Sequence, residues 1–143
     1  MKLIAHRGNI LGKNTEEENK KEYILYALSK GYDAEIDVYY TDDFYLGHDF
    51  AQYKVEKDFL LQKGLWCHAK TIKTLDRLIN LGVICFYHET DKCTLTSNGL
   101  IWTFPGNELT EKSICVLPEI FNQDNLICYG ICSDYIEKYA SLI

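Results

Sequence analysis

Residues 3–9, LIAHRGN, set an apolar run against an abrupt polar ending: Leu3, Ile4 and Ala5 give way to His6, Arg7 and Gly8. A short run that is apolar on both faces is the pattern of a parallel strand covered on both sides. Its ending recurs along the chain. AEIDVYY (34–40) carries Glu35 and Asp37, FYLGH (44–48) ends on His48 before Asp49, and LWCHAK (65–70) ends on His68 and Lys70. VICFYH (83–88) leads to His88 and Glu89, and SICVLP (113–118) to Glu119. In β/α barrels the active site collects at the C-terminal ends of the strands. His6 and Arg7 therefore read as members of one polar ring.

Two further runs, LIWTF (100–104) and LICYGIC (126–132), complete the strand set. Between the early strands lie two helix patterns. Residues 15–31, TEEENKKEYILYALSKG, pair Thr15 with Glu18 as a capping box and place Tyr23/Ala27 and Ile24/Leu28 on one face. Residues 71–82, TIKTLDRLINLG, run from a Thr71 cap to a Gly82 stop, with Ile72, Leu75, Leu78 and Ile79 as the stripe. A shorter helix is expected after Val55, and a last one after CSD (132–134), capped by Asp134 with Glu137. Beyond about residue 90 the gaps between strands fall near ten residues, too few for full crossover helices. The expectation is one α/β domain over residues 1–143, a reduced TIM-like β/α barrel with several outer helices shortened or missing, or an open sheet of the same strand order.

Composition narrows the function classes. At 143 residues, 47% hydrophobic and 25% charged, the chain can fill one core. Its net charge of −6, with basic residues scattered, argues against a nucleic-acid surface. No run approaches the length of a transmembrane helix, and MKLIAHRG shows no leader-like segment, so a cytoplasmic protein is expected. The six cysteines sit mostly inside apolar runs and are expected to be reduced core thiols. The oligomeric state is not readable.

The spacing of two between Glu35 and Asp37 puts both carboxylates on one strand face, with Ile36 and Val38 on the other. Two such carboxylates repel unless a cation lies between them, and oxygen ligands suit Mg²⁺ or Ca²⁺. His6 and His48, each beside a glycine, titrate near neutrality and suit proton transfer.

The order IAHRG, NTEEEN, EIDV, GHD and a strand ending in lysine resembles the glycerophosphodiester phosphodiesterase family, within the phosphatidylinositol-phospholipase-C-like barrel superfamily. The resemblance spans roughly residues 3 to 70, with a vaguer echo at GICSDY. It implies a β/α barrel that hydrolyses a small phosphodiester with a divalent metal (Mg, Ca or Mn) and two histidines. Carried over by position, it implies His6 and His48 as the acid/base pair, Arg7 and Lys70 as phosphate-binding cations, and Glu35 and Asp37 as metal ligands. Asn14 and Thr15 match the family's E-N-T signature, whose glutamate is Lys13 here. A metal-binding glutamate of the family is replaced by His68, which makes His68 the third candidate ligand and favours Mn²⁺ or Zn²⁺. Glu89 or Glu119 would otherwise supply the missing oxygen. Two other readings stand beside this one: a barrel that binds a phosphorylated ligand without turnover, and an interaction module built on the 11 Tyr, 6 Phe and 2 Trp.

Overall fold

The computed structural model describes all 143 residues. Seven strands form a parallel sheet in the order β6–β5–β2–β1–β10–β9–β8. These are β1 (Lys2–His6), β2 (Asp33–Tyr40), β5 (Leu65–Ala69), β6 (Cys85–Tyr87), β8 (Ile101–Thr103), β9 (Ser113–Val116) and β10 (Gly130–Ser133). Two antiparallel extensions complete ten strands. β3 (Phe44–Leu46) and β4 (Tyr53–Val55) prolong the end of β2, and β7 (Cys93–Leu95) pairs with β8. The edge strands β6 and β8 share no ladder, so the sheet is not closed by strand pairing. Isolated contacts bridge the gap: the Phe86 ring stacks on Trp102 at 4.3 Å, the Cys85 N–H donates to Ser97 Oγ, and the Ser97 N–H donates to the Cys85 carbonyl.

Strand alternation divides the apolar residues into two cores. Ala5, Ala34, Ile36, Val38, Cys67 and Ala69 face outward, where Ile24, Ala27 and Leu78 of the helices cover them. Ile4, Trp66, Phe86, Trp102, Ile114 and Cys132 face the other way and fill the inside of the sheet. Two residues further along the same strands, this inner face turns polar: His6 follows Ile4, His68 follows Trp66 and Asp134 follows Cys132. The inner face is thus apolar at the base and charged at the strand C-termini.

The helices are α1 (Lys21–Ser29), α2 (Lys57–Leu60), α3 (Ile72–Leu81) and α4 (Ile136–Ala140). α3 has the ends its sequence predicts: Thr71 accepts from the Thr74 N–H, and Gly82 stops it at φ +72°. α1 starts five residues later than the capping-box reading, with Lys20 rather than Thr15 at its N-cap. Residues 15–19 form turns instead, because Glu18 points inward to Arg7 and Asn9, and Asn19 takes a left-handed φ of +64°. Asp134 likewise does not cap α4; its carboxylate is held by His6 and Asn9. After β6 no α-helix appears until α4, and a 3₁₀ turn at Pro118–Ile120 replaces one crossover. No helix is long and apolar enough to cross a membrane. All six cysteines are free thiols, four of them buried.

Candidate metal and phosphate centre

One cavity of ≈ 390 Å³ opens at the C-terminal end of the parallel strands, and all seven site residues singled out from the sequence line it. Its floor is the β2–β5 pair. Asp37 and His68 are direct register partners there, which brings His68 Nδ1 to 3.1 Å from Asp37 Oδ1 and 3.8 Å from Glu35 Oε1. The three side chains are buried, and their donor atoms lie within 4.8 Å of one another. Two of their polar atoms, Asp37 Oδ1 and His68 Nε2, are buried without an aligned hydrogen-bond partner. A spacing of about 3 Å is what adjacent ligands adopt around an ion with bonds near 2.1 Å. Glu35, Asp37 and His68 can therefore hold a metal ion.

The cations of the site lean on the same carboxylates. Arg7 Nε lies 3.1 Å from Asp37 Oδ2, Arg7 Nη1 donates to Glu18 at 3.2 Å, and Lys70 Nζ stands 3.8 Å from Asp37 Oδ1. Burial works to raise the Asp37 pKa, but His68, Arg7 and Lys70 outweigh it and hold Asp37 well below the usual carboxylate range. Glu35 moves the other way, raised first by burial and then by the charge on Asp37. Arg7 has a left-handed backbone, φ +52°, and its N–H donates to Glu35 Oε2 at 3.2 Å. Such a backbone costs of order 1–3 kcal/mol in a non-glycine residue. Here it lets one residue bind Glu35 through its backbone and Asp37 through its side chain.

Each candidate proton-transfer histidine has its own carboxylate. His6 Nδ1 donates to Asp134 at 2.7 Å, which leaves Nε2 facing the cavity, 3.9 Å from Glu35 Oε2. Burial acts to lower the His6 pKa, but the Asp134 hydrogen bond and the Glu35 charge overcome it, and the net shift is upward. His48 Nδ1 donates to Asp49 at 2.7 Å on the loop between β3 and β4, where it is partly exposed. Gly47 makes that loop possible: at φ +154°, an added Cβ would lie 2.1 Å from the Phe50 carbonyl oxygen.

Further residues complete the frame. Asn9 donates to both Glu18 and Asp134 and accepts from the Tyr23 hydroxyl. Asn19 brackets Asp37, donating to its carboxylate and accepting from its N–H. Glu119 is not a ligand; it accepts from Ser133 Oγ and the Asp134 N–H, fixing the turn that presents Asp134. Glu89 does line the cavity, and it accepts the Tyr87 hydroxyl at 2.6 Å. His88 stacks on His68 at 4.3 Å, and burial, with His68 beside it, pushes its pKa down to about 4.

Comparison with protein-family models, curated proteins and solved structures found no match to this chain.

Proposed function

We propose that the chain is a metal-dependent phosphodiester hydrolase resembling the glycerophosphodiester phosphodiesterases, its parallel sheet read as a small barrel closed between β6 and β8 by the Phe86–Trp102 stack and the Cys85–Ser97 hydrogen bonds. The observation that carries this reading is the single cavity holding two Asp-oriented histidines, two cations and a buried Glu35–Asp37–His68 cluster. A divalent ion bound by that cluster would supply positive charge for a phosphoryl oxygen. Lys70 and the face of Arg7 that lines the cavity would stabilise the charge growing on the other oxygens.

His6 enters as the acid. Its upward-shifted pKa keeps a proton on Nε2, which passes to the departing alkoxide while Asp134 holds the tautomer. His48, with Nδ1 tied to Asp49, offers a free Nε2 to take the proton of the attacking oxygen, either water or a neighbouring substrate hydroxyl. With water the products are a phosphomonoester and an alcohol. With a substrate hydroxyl the first product is a cyclic phosphate.

The test is a matrix of glycerophosphodiesters, lysophospholipids and an aryl phosphodiester against Mg²⁺, Ca²⁺, Mn²⁺ and Zn²⁺, read as released alcohol. Turnover that disappears in His6→Ala and His48→Ala supports the reading. Metal and phosphate binding without product from any pair would overturn it in favour of a ligand-binding barrel.

A further inference from the structure

The cavity has two unlike halves. β1, β2 and β5 supply most of the charged wall, whereas β6, β8 and the segments after them and β9 supply Tyr87, His88, Trp102, Phe104, Pro105 and Leu117, with Glu89, bonded to the Tyr87 hydroxyl, the one carboxylate on that side. The aromatic half is built as a layer. Trp102 and Phe86 are buried at its base and stacked on each other, and above them the rings of His88 and Phe104 meet at 3.9 Å. Phe104, Tyr87 and Leu117 are only partly covered, so apolar surface remains open to the cavity. Leu117 keeps a left-handed backbone, φ +46°, where glycine or asparagine would be unstrained. Strain held in a cavity wall is found where a side chain must be presented at a set angle.

A second depression, ≈ 290 Å³, adjoins the cavity at Arg7 and His48. Those two residues line both spaces. The rest of its wall is mainly polar, with Lys13, Thr15, Asn19 and Gln52 among its residues. A phosphate at the shared pair would thus have one arm in an aromatic pocket and the other in a polar one.

We infer that the substrate is an asymmetric phosphodiester, with an aromatic alcohol seated against Phe104 and His88 and a hydroxylated alcohol in the cleft of Lys13, Thr15 and Gln52. This assignment rests on the hydrolase reading for its chemistry, but the binding geometry can be tested apart from turnover. The base of the aromatic half is closed by Trp102 and Phe86, which suits a flat ring and stops an extended chain from running inward. An arene against these walls gains both area burial and ring–ring contact.

The probes are two phosphinates, inert to hydrolysis because both arms join phosphorus through carbon. Each has a 2,3-dihydroxypropyl arm; the second arm is benzyl in one and methyl in the other. Calorimetry of the full chain in Mn²⁺ should give at least about tenfold tighter binding of the benzyl compound, the scale of one ring stacked on aromatic side chains. Phe104→Ala should bring the ratio within about threefold, Phe104→Leu should retain part of it, and Gln52→Ala should weaken both compounds alike. Equal affinities in the wild type, or a ratio that survives Phe104→Ala, would overturn the assignment. Discrimination between phosphinates with no diester hydrolysed would sink the hydrolase reading and leave the pocket assignment standing. Hydrolysis without discrimination would do the reverse.

Discussion

His6 Nδ1 and Asp134 Oδ1 meet at 2.7 Å across 128 residues of chain, joining the end of the first strand to the turn after the last. Parallel pairing of β1 with β10 makes the meeting possible, because Ala5 is in register with Ser133 and the next residue of each strand follows on the inner face. The pair both closes the sheet's central seam and sets the tautomer of a histidine facing the cavity.

Asp134→Asn should therefore lower the His6 pKa, since the hydrogen bond that opposes desolvation loses its charge. In the wild type His6 is raised, so its stabilisation is full below the unfolded value near 6.5 and is lost as pH rises through the folded midpoint. Asp134 is lowered, so its share is present above about pH 4 and is lost as pH falls through its own folded midpoint. The variant should cost about 1–3 kcal/mol near pH 5.5 and less near pH 8.5. Imidazole NMR titration and denaturant unfolding at those pH values check this. An unmoved His6 midpoint would refute the coupling.

Gly47→Ala should disorder the His48 loop while sparing the sheet. The new Cβ has no room against the Phe50 carbonyl, and Gln52 Cβ stands 3.0 Å away on the other side. The His48 ring resonances should shift and broaden, whereas those of His6 and His68 stay in place. Gly31→Ala, which meets nothing within 4 Å, is the control for backbone strain alone.

Much of this was legible because burial on both faces leaves a strong trace in short strands. The polar endings of LIAHRGN, AEIDVYY and LWCHAK converge on one cavity, as parallel strands of one sheet require. The frame was harder to read. Thr15 and Glu18 have the spacing of a capping box, but the half-buried Arg7 and the buried Asn9 offer Glu18 stronger partners than a helix end does. Asp134 and Glu119 also carry local turn signals, yet contacts from distant strands decide their roles. Asn9 and Asn19 close the stretches LIAHRGN and NTEEEN, but nothing local marks them as partners of Asp134 and Asp37, because tertiary hydrogen bonds define those roles.

The thiols should separate into two groups. Cys93 is exposed and should react within the dead time of an aromatic disulfide reagent, with Cys128 following. Cys67, Cys85, Cys115 and Cys132 are buried, and burial pushes the Cys115 thiol up to about 12, so they should react only on unfolding. All six should be recovered in denaturant without reductant. Recovery of two or fewer would contradict the free-thiol arrangement.

Glu35→Gln should stabilise the metal-free protein and abolish its response to metal. The raised pKa of Glu35 means its ionised form is disfavoured in the fold, so it lowers stability as pH rises above the unfolded value. Removing that charge beside Asp37 should raise the Tm of the metal-free protein near pH 7. Thermal melts with and without Mn²⁺ read both effects. A Mn²⁺-induced rise in Tm equal to that of the wild type would remove Glu35 from the ligand set.

His68 would decide the choice of metal in the proposed centre. Its Nδ1 faces Asp37 Oδ1 at 3.1 Å, while Phe86 at 5.1 Å and His88 at 4.3 Å hold the ring plane. A nitrogen donor in place of a carboxylate removes one negative charge and softens the site, so Mn²⁺ or Zn²⁺ should bind more tightly than Mg²⁺ or Ca²⁺. His68→Glu should reverse this preference and favour Mg²⁺. The same change puts a third carboxylate beside Glu35 and Asp37, and without metal it should melt lower than the wild type. Calorimetric titration of both proteins with Mg²⁺ and Mn²⁺, with melts of the metal-free forms, covers each expectation. If metal preference is unchanged, His68 is not a ligand. It would then serve as a partner of Asp37, and any bound metal would rest on Glu35 and Asp37 with Glu89 or water.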